Sequence, residues 1–521
     1  MACYIYPDSI GLDLCPSLCS KWGIYYPRIP QEKVWWHAAS NVNVGSVLYS
    51  QRPRQNSGGL AAVIYTDTLQ SVVILIGAVV LFGITWSEVG TWHNLVAMYS
   101  QAIPNKTLEN SNYTCGFPRK DFMHIWRDPV KGDIPWTGAA FGLTLIGIWF
   151  WCSDQIIVQR SLSAKNMNHS KGGAVFASYL KLTPLFLWII PGMISRILYP
   201  DEVACPDPES CLQACGNPAG CSNIAYPLLV VRKMPEGLRG LMLAGFLAAL
   251  MSTLSSIFNS ATTLFTMDIW KRFRKRATQR ELMIVSRVVV LVLVIFSILW
   301  IPVMESANGG QIWNYIQTLF SCVSPPWCAA FLLAIFWKRT TEPAVFWSLI
   351  IGSLLGIIRM VLELLYRGSA CGTFKPDPRP AILKDIHFFH FAIILASVTA
   401  ILTVTISLFT KPRPPEKLRR VTWWTRDDPE ELEESDSDDN LEAEMKSEEV
   451  ISAQPSRLKR YIYKWLCGYD DRPRPRLTLE DKLLMRKRMQ DIGEDPRARR
   501  VNNVLAAIAI IITTFLLGYF G

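Results

Sequence analysis

Nine apolar runs, each about long enough to cross a lipid bilayer, recur near residues 61–86, 137–153, 174–196, 239–267, 282–303, 315–337, 343–366, 388–410 and 501–520. A hydrocarbon core about 30 Å thick takes about 20 apolar residues of helix. A backbone in lipid must also satisfy its own hydrogen bonds, so open runs of this kind fold as α-helices. The repetition predicts an all-α, multi-pass membrane protein with about nine transmembrane helices. Composition agrees: half of the 521 residues are apolar, 19 are tryptophan and 18% are charged. Soluble multi-domain enzymes of this length rarely combine so little charge with uninterrupted apolar runs.

The formal charge of +10 raises nucleic acid as a partner, but the basic residues follow the positive-inside rule instead. Arg52 and Arg54 precede the first run, and Arg160, Lys165 and Lys171 lie between the second and third. Lys271, Arg272, Arg274, Lys275, Arg276 and Arg280 separate the fourth from the fifth, and Lys338 and Arg339 the sixth from the seventh. Alternate loops are therefore cytoplasmic. The intervening loops carry extracellular marks: Asn105-Lys106-Thr107 and Asn112-Tyr113-Thr114 are glycosylation sequons between the first and second runs. Four of the 13 cysteines, Cys205, Cys211, Cys215 and Cys221, cluster in the next exterior loop and read as disulfides of undetermined connectivity. A zinc site is the competing reading; the irregular spacing and the lack of a nearby histidine count against it. Both signals place the chain in the plasma membrane.

Four segments follow. Residues 1–57 contain no apolar run able to span and no signal peptide. Residues 58–410 hold eight helices, and 501–521 hold the last. Between them, 411–500 is a cytoplasmic linker with an acidic run (RDDPEELEESDSDDNLEAEMKSEE), of the composition of a solvated, partly disordered segment. Ser435 and Ser437 within it offer a kinase a site among carboxylates.

The stretch AALMSTLSSIFNSATTLFTMDIW carries eight hydroxyls between Ser252 and Thr266 inside an apolar frame. Ser252, Ser256, Asn259, Thr263 and Thr266 recur at helical spacing and share a face that lipid cannot serve. Helix-to-helix hydrogen bonding accounts for any one of them. Adjacent Ser252 and Thr253 also suit a hard alkali cation, which needs several oxygens and no strong charge. Asp67, in GGLAAVIYTDTLQ, is a carboxylate just inside the first run, where an ion-related role and a hydrated helix end both fit.

The second run, TGAAFGLTLIGIWFWCSDQIIVQR, is short and glycine-interrupted, the pattern of a broken helix at a transport site. Its Trp149, Phe150 and Trp151 suit the C–H face of a sugar, and equally a belt at the membrane interface. Lys181 lies well inside the third run, beside Pro184 and Pro191, where it either serves a site or snorkels. Gln311, Asn314, Gln317, Thr318 and Ser321 form a polar stripe on the sixth. The spans hold no metal-binding His/Glu pair and no nucleophile–base constellation, so the chain is not read as an enzyme and implies no cofactor beyond a coupling ion.

The segments GGLAAVIYTDTLQ, WCSDQIIVQRSLSAKN, GCSNIAYP, GLRGLM, MSTLSSIFNSATTLFTMDIW and AIFWKR resemble the sodium/glucose cotransporter family of sodium:solute symporters, in its sugar and myo-inositol branch, from Gly58 to the C-terminus. The resemblance implies a LeuT-like fold of inverted repeats and sodium-coupled symport of a hexose such as glucose or a related polyol. It implies Trp151, Phe150, Lys181 and Gln317 at the sugar, Ser252 and Thr253 as sodium ligands, and Asp67 at a further sodium-related site. Where the family usually carries tyrosine this chain has Phe150, which keeps the stacking surface and loses a hydroxyl. The family's first four core helices, and the short helix before them, are expected to have no counterpart in residues 1–57. The alternatives to hexose symport are a myo-inositol symporter, or a truncated, non-transporting membrane protein with a sensing or regulatory role.

Overall fold

The computed structural model describes residues 59–109, 115–162, 164, 166–274, 277, 279–307, 311–366, 378–418, 422–425 and 495–521. The expectations for residues 1–57, Arg52, Arg54, Asn112, Lys165, Lys275, Arg276, Ser435, Ser437 and most of 411–500 lie outside them. Among the described residues all regular structure is helical. We number the elements used below α1 (Gly59–Val89), α2 (Leu143–Cys152), α3 (Gln155–Leu162), α4 (Met167–Leu180), α5 (Ile190–Leu198), α6 (Glu236–Leu264), α7 (Gln279–Ala307), α8 (Ile312–Phe336), α9 (Glu342–Leu365), α10 (Phe388–Phe409) and α11 (Pro496–Tyr519).

Eight of the nine apolar runs form helices long enough to cross a bilayer, with α4 and α5 counting as one interrupted span. The ninth, Gly138–Cys152, is shorter, as its glycines foretold. It opens on a π-helical turn, Gly138–Gly142, pressed against α10. A Cβ on Gly142 would sit 2.2 Å from the carbonyl oxygen of Phe389, so only glycine admits this approach.

The interruption between α4 and α5 follows from its prolines. Pro184 has no N–H for the carbonyl of Leu180, and the hydroxyl of Thr183 donates to that oxygen instead at 2.8 Å. A π-helical turn, Leu185–Ile189, then absorbs the missing donor of Pro191. The same logic shapes α8, where Pro326 frees the carbonyl of Cys322. A Cβ on Gly356 of α9 would lie 1.9 Å from that oxygen, so the backbones meet where proline freed an acceptor and glycine left room.

Two groups of helices result. In one, α1 packs on α6, and Ala78, Leu81, Met242 and Phe246 enclose the fully buried Tyr226. In the other, α8, α9 and α10 pack on one another and on α2, around Phe389 and Trp313. Outward side chains remain apolar and exposed, as in α7 with Phe296 at 60% and Leu299 at 68%, the pattern of a lipid-facing surface.

The loops read as exterior lie together. Lys106, in the first sequon, pairs with Asp207 of the cysteine loop at 3.0 Å, and the Ile125 N–H donates to the Phe520 carbonyl at 2.8 Å. In front of α2, Arg127 is buried and bonds Asp133 at 2.5 Å, while Arg119 reaches Asp121 at 2.9 Å and Asp133 at 2.7 Å. The Arg119 guanidinium holds the Asp121 carboxyl below its ordinary value. At the opposite end Arg339 donates to the Leu408 carbonyl and the Trp424 indole to the Phe336 carbonyl, in the basic loops read as cytoplasmic.

Candidate transport site

Asp67 faces two other elements across the α1–α6 contact. Its Oδ1 accepts a hydrogen bond from the Ser252 hydroxyl, and its Oδ2 accepts from Arg160 Nη2 at 2.7 Å. The same Arg160 nitrogen donates to Ser256 Oγ at 2.9 Å. Ser252 and Ser256 stand one turn apart on α6, so both oxygens reach the same place. Arg160 arrives because the chain breaks at Ser153–Asp154 after α2 and restarts as α3, with Asp154 accepting from the Ile156 N–H at 3.3 Å. A carboxylate, two hydroxyls and one resident cation thus converge from three elements.

Thr253, about 100° further round α6, is exposed, and its hydroxyl donates to Ala249 O at 3.0 Å. Thr253, Ser255, Thr262, Thr263 and Thr266 all donate to carbonyls of their own helical turn. Local back-bonding therefore serves five of the eight hydroxyls, a use that spacing alone does not distinguish from a shared polar path.

The aromatic end of α2 meets the break after α4. Phe150 and Trp151 lie edge to face with centroids 5.7 Å apart, and Lys181 Nζ stands 5.4 Å from the Trp151 ring centroid. Lys181 closes α4, its N–H on Ala177 O at 3.0 Å, and its side chain is exposed. An ammonium over an indole face is attracted by the ring quadrupole. Trp149 turns the other way, against Phe320 of α8 at 6.1 Å. Gln317 lies one turn from Phe320, and its Oε1 is buried with no hydrogen-bond partner among the described residues. A buried amide oxygen in that state is an acceptor awaiting a donor.

The structure brings Trp151 to Lys181 and Phe150, and Asp67 to Ser252; Gln317 stands one turn from Phe320, the residue that meets Trp149. Arg160 and Ser256 are the partners that sequence reading missed. Arg160 was legible only as a cytoplasmic loop charge, and Ser256 only as one hydroxyl of a stripe. In the first sequon, Asn105 is exposed, and its amide donates to Asp201 Oδ2 at 2.9 Å. The four loop cysteines form Cys205–Cys211 and Cys215–Cys221, which leaves none of their thiolates for a zinc ion.

A broken helix bearing aromatics, a carboxylate–hydroxyl cluster and an interrupted lysine helix are common parts of a secondary transporter, and comparison with known proteins names the group. The model of the sodium:solute symporter family matches residues 56–352. Sodium/glucose cotransporter 4 of Mus musculus is 49% identical over 89% of this chain and 71% of its own length. The chain belongs to the sodium:solute symporter family. At the same coverages, sodium/glucose cotransporter 1 of Ovis aries is 47% identical and sodium/myo-inositol cotransporter 2 of Homo sapiens 44%. The solved substrate-bound, outward-open Na+-coupled sialic acid symporter superposes with a TM-score of 0.52 at 21% identity, over 78% of this chain and 72% of that one. That likeness shows the fold, which is all-α and LeuT-like. Every candidate site residue from Asp67 to Gln317 falls inside the matched family region.

Proposed function

We propose that this protein moves a hexose such as glucose, or a closely related polyol, across the plasma membrane by sodium-coupled symport. The observation that carries the reading is the likeness to sodium/glucose cotransporters at 47–49% identity along 89% of the chain. The site geometry supports it. Trp151 and Phe150 present an apolar face to a sugar ring, while Lys181 donates to ring hydroxyls and Gln317 Oε1 accepts from one. Asp67, Ser252 and Ser256 supply oxygens to sodium, with Thr253 offering a further hydroxyl from the adjacent position. The ion comes down its gradient, and the membrane potential adds about 2.3 kcal/mol per charge per 100 mV.

Coupling follows from the chain path. The helix bearing Trp151 runs through the Ser153–Asp154 break into the helix holding Arg160, so a sugar that moves the aromatic end also moves the guanidinium on Asp67. Each ligand then alters the affinity of the other by one shared factor. Uptake of radiolabelled methyl α-D-glucopyranoside by cells expressing the chain, with sodium or choline outside, tests the proposal. Sodium-dependent accumulation above untransfected cells is expected. Sugar binding without sodium-dependent uptake would favour the sensing role, and preference for myo-inositol would move the substrate to that polyol.

A further inference from the structure

A cavity of about 740 Å³ opens at the exterior ends of α8, α9 and α10, bounded by the 130–133 loop and by residues 383–388. Among the described residues its wall includes neither the Asp67 cluster nor Phe150, Trp151, Lys181 or Gln317. We propose that it is a second binding site, for an uncharged polyhydroxyl compound of mono- to disaccharide size, reached from outside the cell.

Size and chemistry both select that class. Ligand cavities of about 300–1,000 Å³ enclose small organic molecules. Charges of both signs line this one: four basic groups, Lys131, Arg359, Arg379 and Lys384, stand with three carboxylates, Asp133, Glu363 and Asp385, and Arg359 is already paired with Glu363. A bare anion would meet three carboxylates, and a bare cation would meet the basic groups. A neutral polyol carries donors and acceptors on adjacent carbons and satisfies both signs without repulsion. On α8, Gln311, Asn314 and Thr318 recur at helical spacing on one wall and add amide and hydroxyl partners. Tyr315 and Phe388 give an aromatic surface for the C–H face of a ring.

Arg359 supplies the second, independent observation. It is only 4% exposed and lines the cavity. Its Nη2 donates to Ile386 O at 2.7 Å and to Glu363 Oε1 at 3.3 Å, and the guanidinium lies 4.5 Å from the Phe391 ring centroid. Its Nε is buried with no hydrogen-bond partner among the described residues. Leaving a buried donor unpaired costs about 1–3 kcal/mol, so the guanidinium at this wall is short of acceptors. The cavity also touches the exterior end of the helix that carries Gln317, so its occupant bears on α8 from the face next to the central site.

The proposal rests on the cavity's own groups, not on the transport reading, and its test separates the two. The full chain in lipid nanodiscs is titrated with maltose by calorimetry, in a Trp151→Ala/Gln317→Ala background that disables the central site. One maltose per chain is expected in that background, with binding at least about tenfold weaker after adding Asn314→Ala or Asp385→Asn. Both changes fall on residues at least partly exposed, and unchanged melting temperatures verify folding. Maltose binding that vanishes in the central-site background, or survives both cavity changes at full affinity, overturns the proposal. So does inorganic phosphate displacing maltose one for one, which would make the site anionic. Loss of sodium-dependent sugar binding at the central site leaves the expected maltose result untouched.

Discussion

Arg160 occupies with its own charge the place where the proposed sodium site needs one, and replacing it should strengthen sodium binding. Its Nη2 lies 2.7 Å from Asp67 Oδ2 and 2.9 Å from Ser256 Oγ, so a sodium ion on the same oxygens would stand about 5 Å from the guanidinium. At an effective dielectric of about 20, that repulsion is about 3 kcal/mol. The Arg160 side chain is 38% exposed, and solvent screening leaves about 1–1.5 kcal/mol. Arg160→Ala should therefore lower the sodium half-saturation about five- to tenfold. Arg160→Lys keeps the charge and should stay near the parent value. Asp67→Asn acts in the opposite direction: the carboxylate is 17% exposed and less screened, so sodium affinity should fall at least about tenfold. Sodium titration of sugar binding at a fixed, subsaturating sugar concentration reads all three. If Arg160→Ala and Asp67→Asn shift the half-saturation the same way, with normal folded yield, Arg160 does not compete with the ion.

Gly356→Ala places a methyl 1.9 Å from the Cys322 carbonyl oxygen, so α8 and α9 must move apart; a loss of about 1–3 kcal/mol should appear as a lower melting temperature, whereas Gly173→Ala, with open space around it, should be neutral or mildly stabilising. His387 caps α10, its Nδ1 accepting from the Phe389 N–H at 3.2 Å, and burial pushes its pKa from 6.5 down to about 4. The unfolded chain therefore takes that proton first, so the stability is complete above pH 6.5 and is lost as pH falls toward 4. Thermal melts across that range should show the decline, and His387→Gln should remove its part of the slope. Glycosidase mobility shifts should disappear when Asn105 and Asn112 are both changed to Gln and persist in Asn168→Gln, because the sequon Asn168-His169-Ser170 lies in the first turn of α4, at the basic end read as cytoplasmic; the reverse pattern would invert the topology.

The membrane architecture was legible because lipid imposes a rule of length and composition that the apolar runs obey, down to the short glycine-broken helix before Trp151. The irregular helix around Lys181 was legible for a related reason, since Pro184 and Pro191 cannot supply two of its backbone donors. Hydroxyl direction was not: Thr253 and Ser252 are neighbours in sequence, yet one bonds its own helix and the other bonds Asp67, and the difference depends on which helix stands opposite. Arg160 was hidden for another reason, because one charge can serve both topology and site, and only the break at Asp154 turns it toward Asp67. Disulfide pairing was equally hidden, since four cysteines in one loop permit several connectivities until the backbone fixes which sulfurs meet. The cavity behind Arg359 combines three distant helices and leaves no local pattern to read.

The most direct test of the central claim is the affinity of the purified chain for D-glucose, followed by intrinsic tryptophan fluorescence with sodium and with an equal concentration of choline. The account predicts that sodium tightens glucose binding, that glucose tightens sodium binding by the same factor, and that Trp151→Ala abolishes the glucose response while sodium binding remains. Glucose affinity that is identical in sodium and choline, with sodium binding intact, would contradict it.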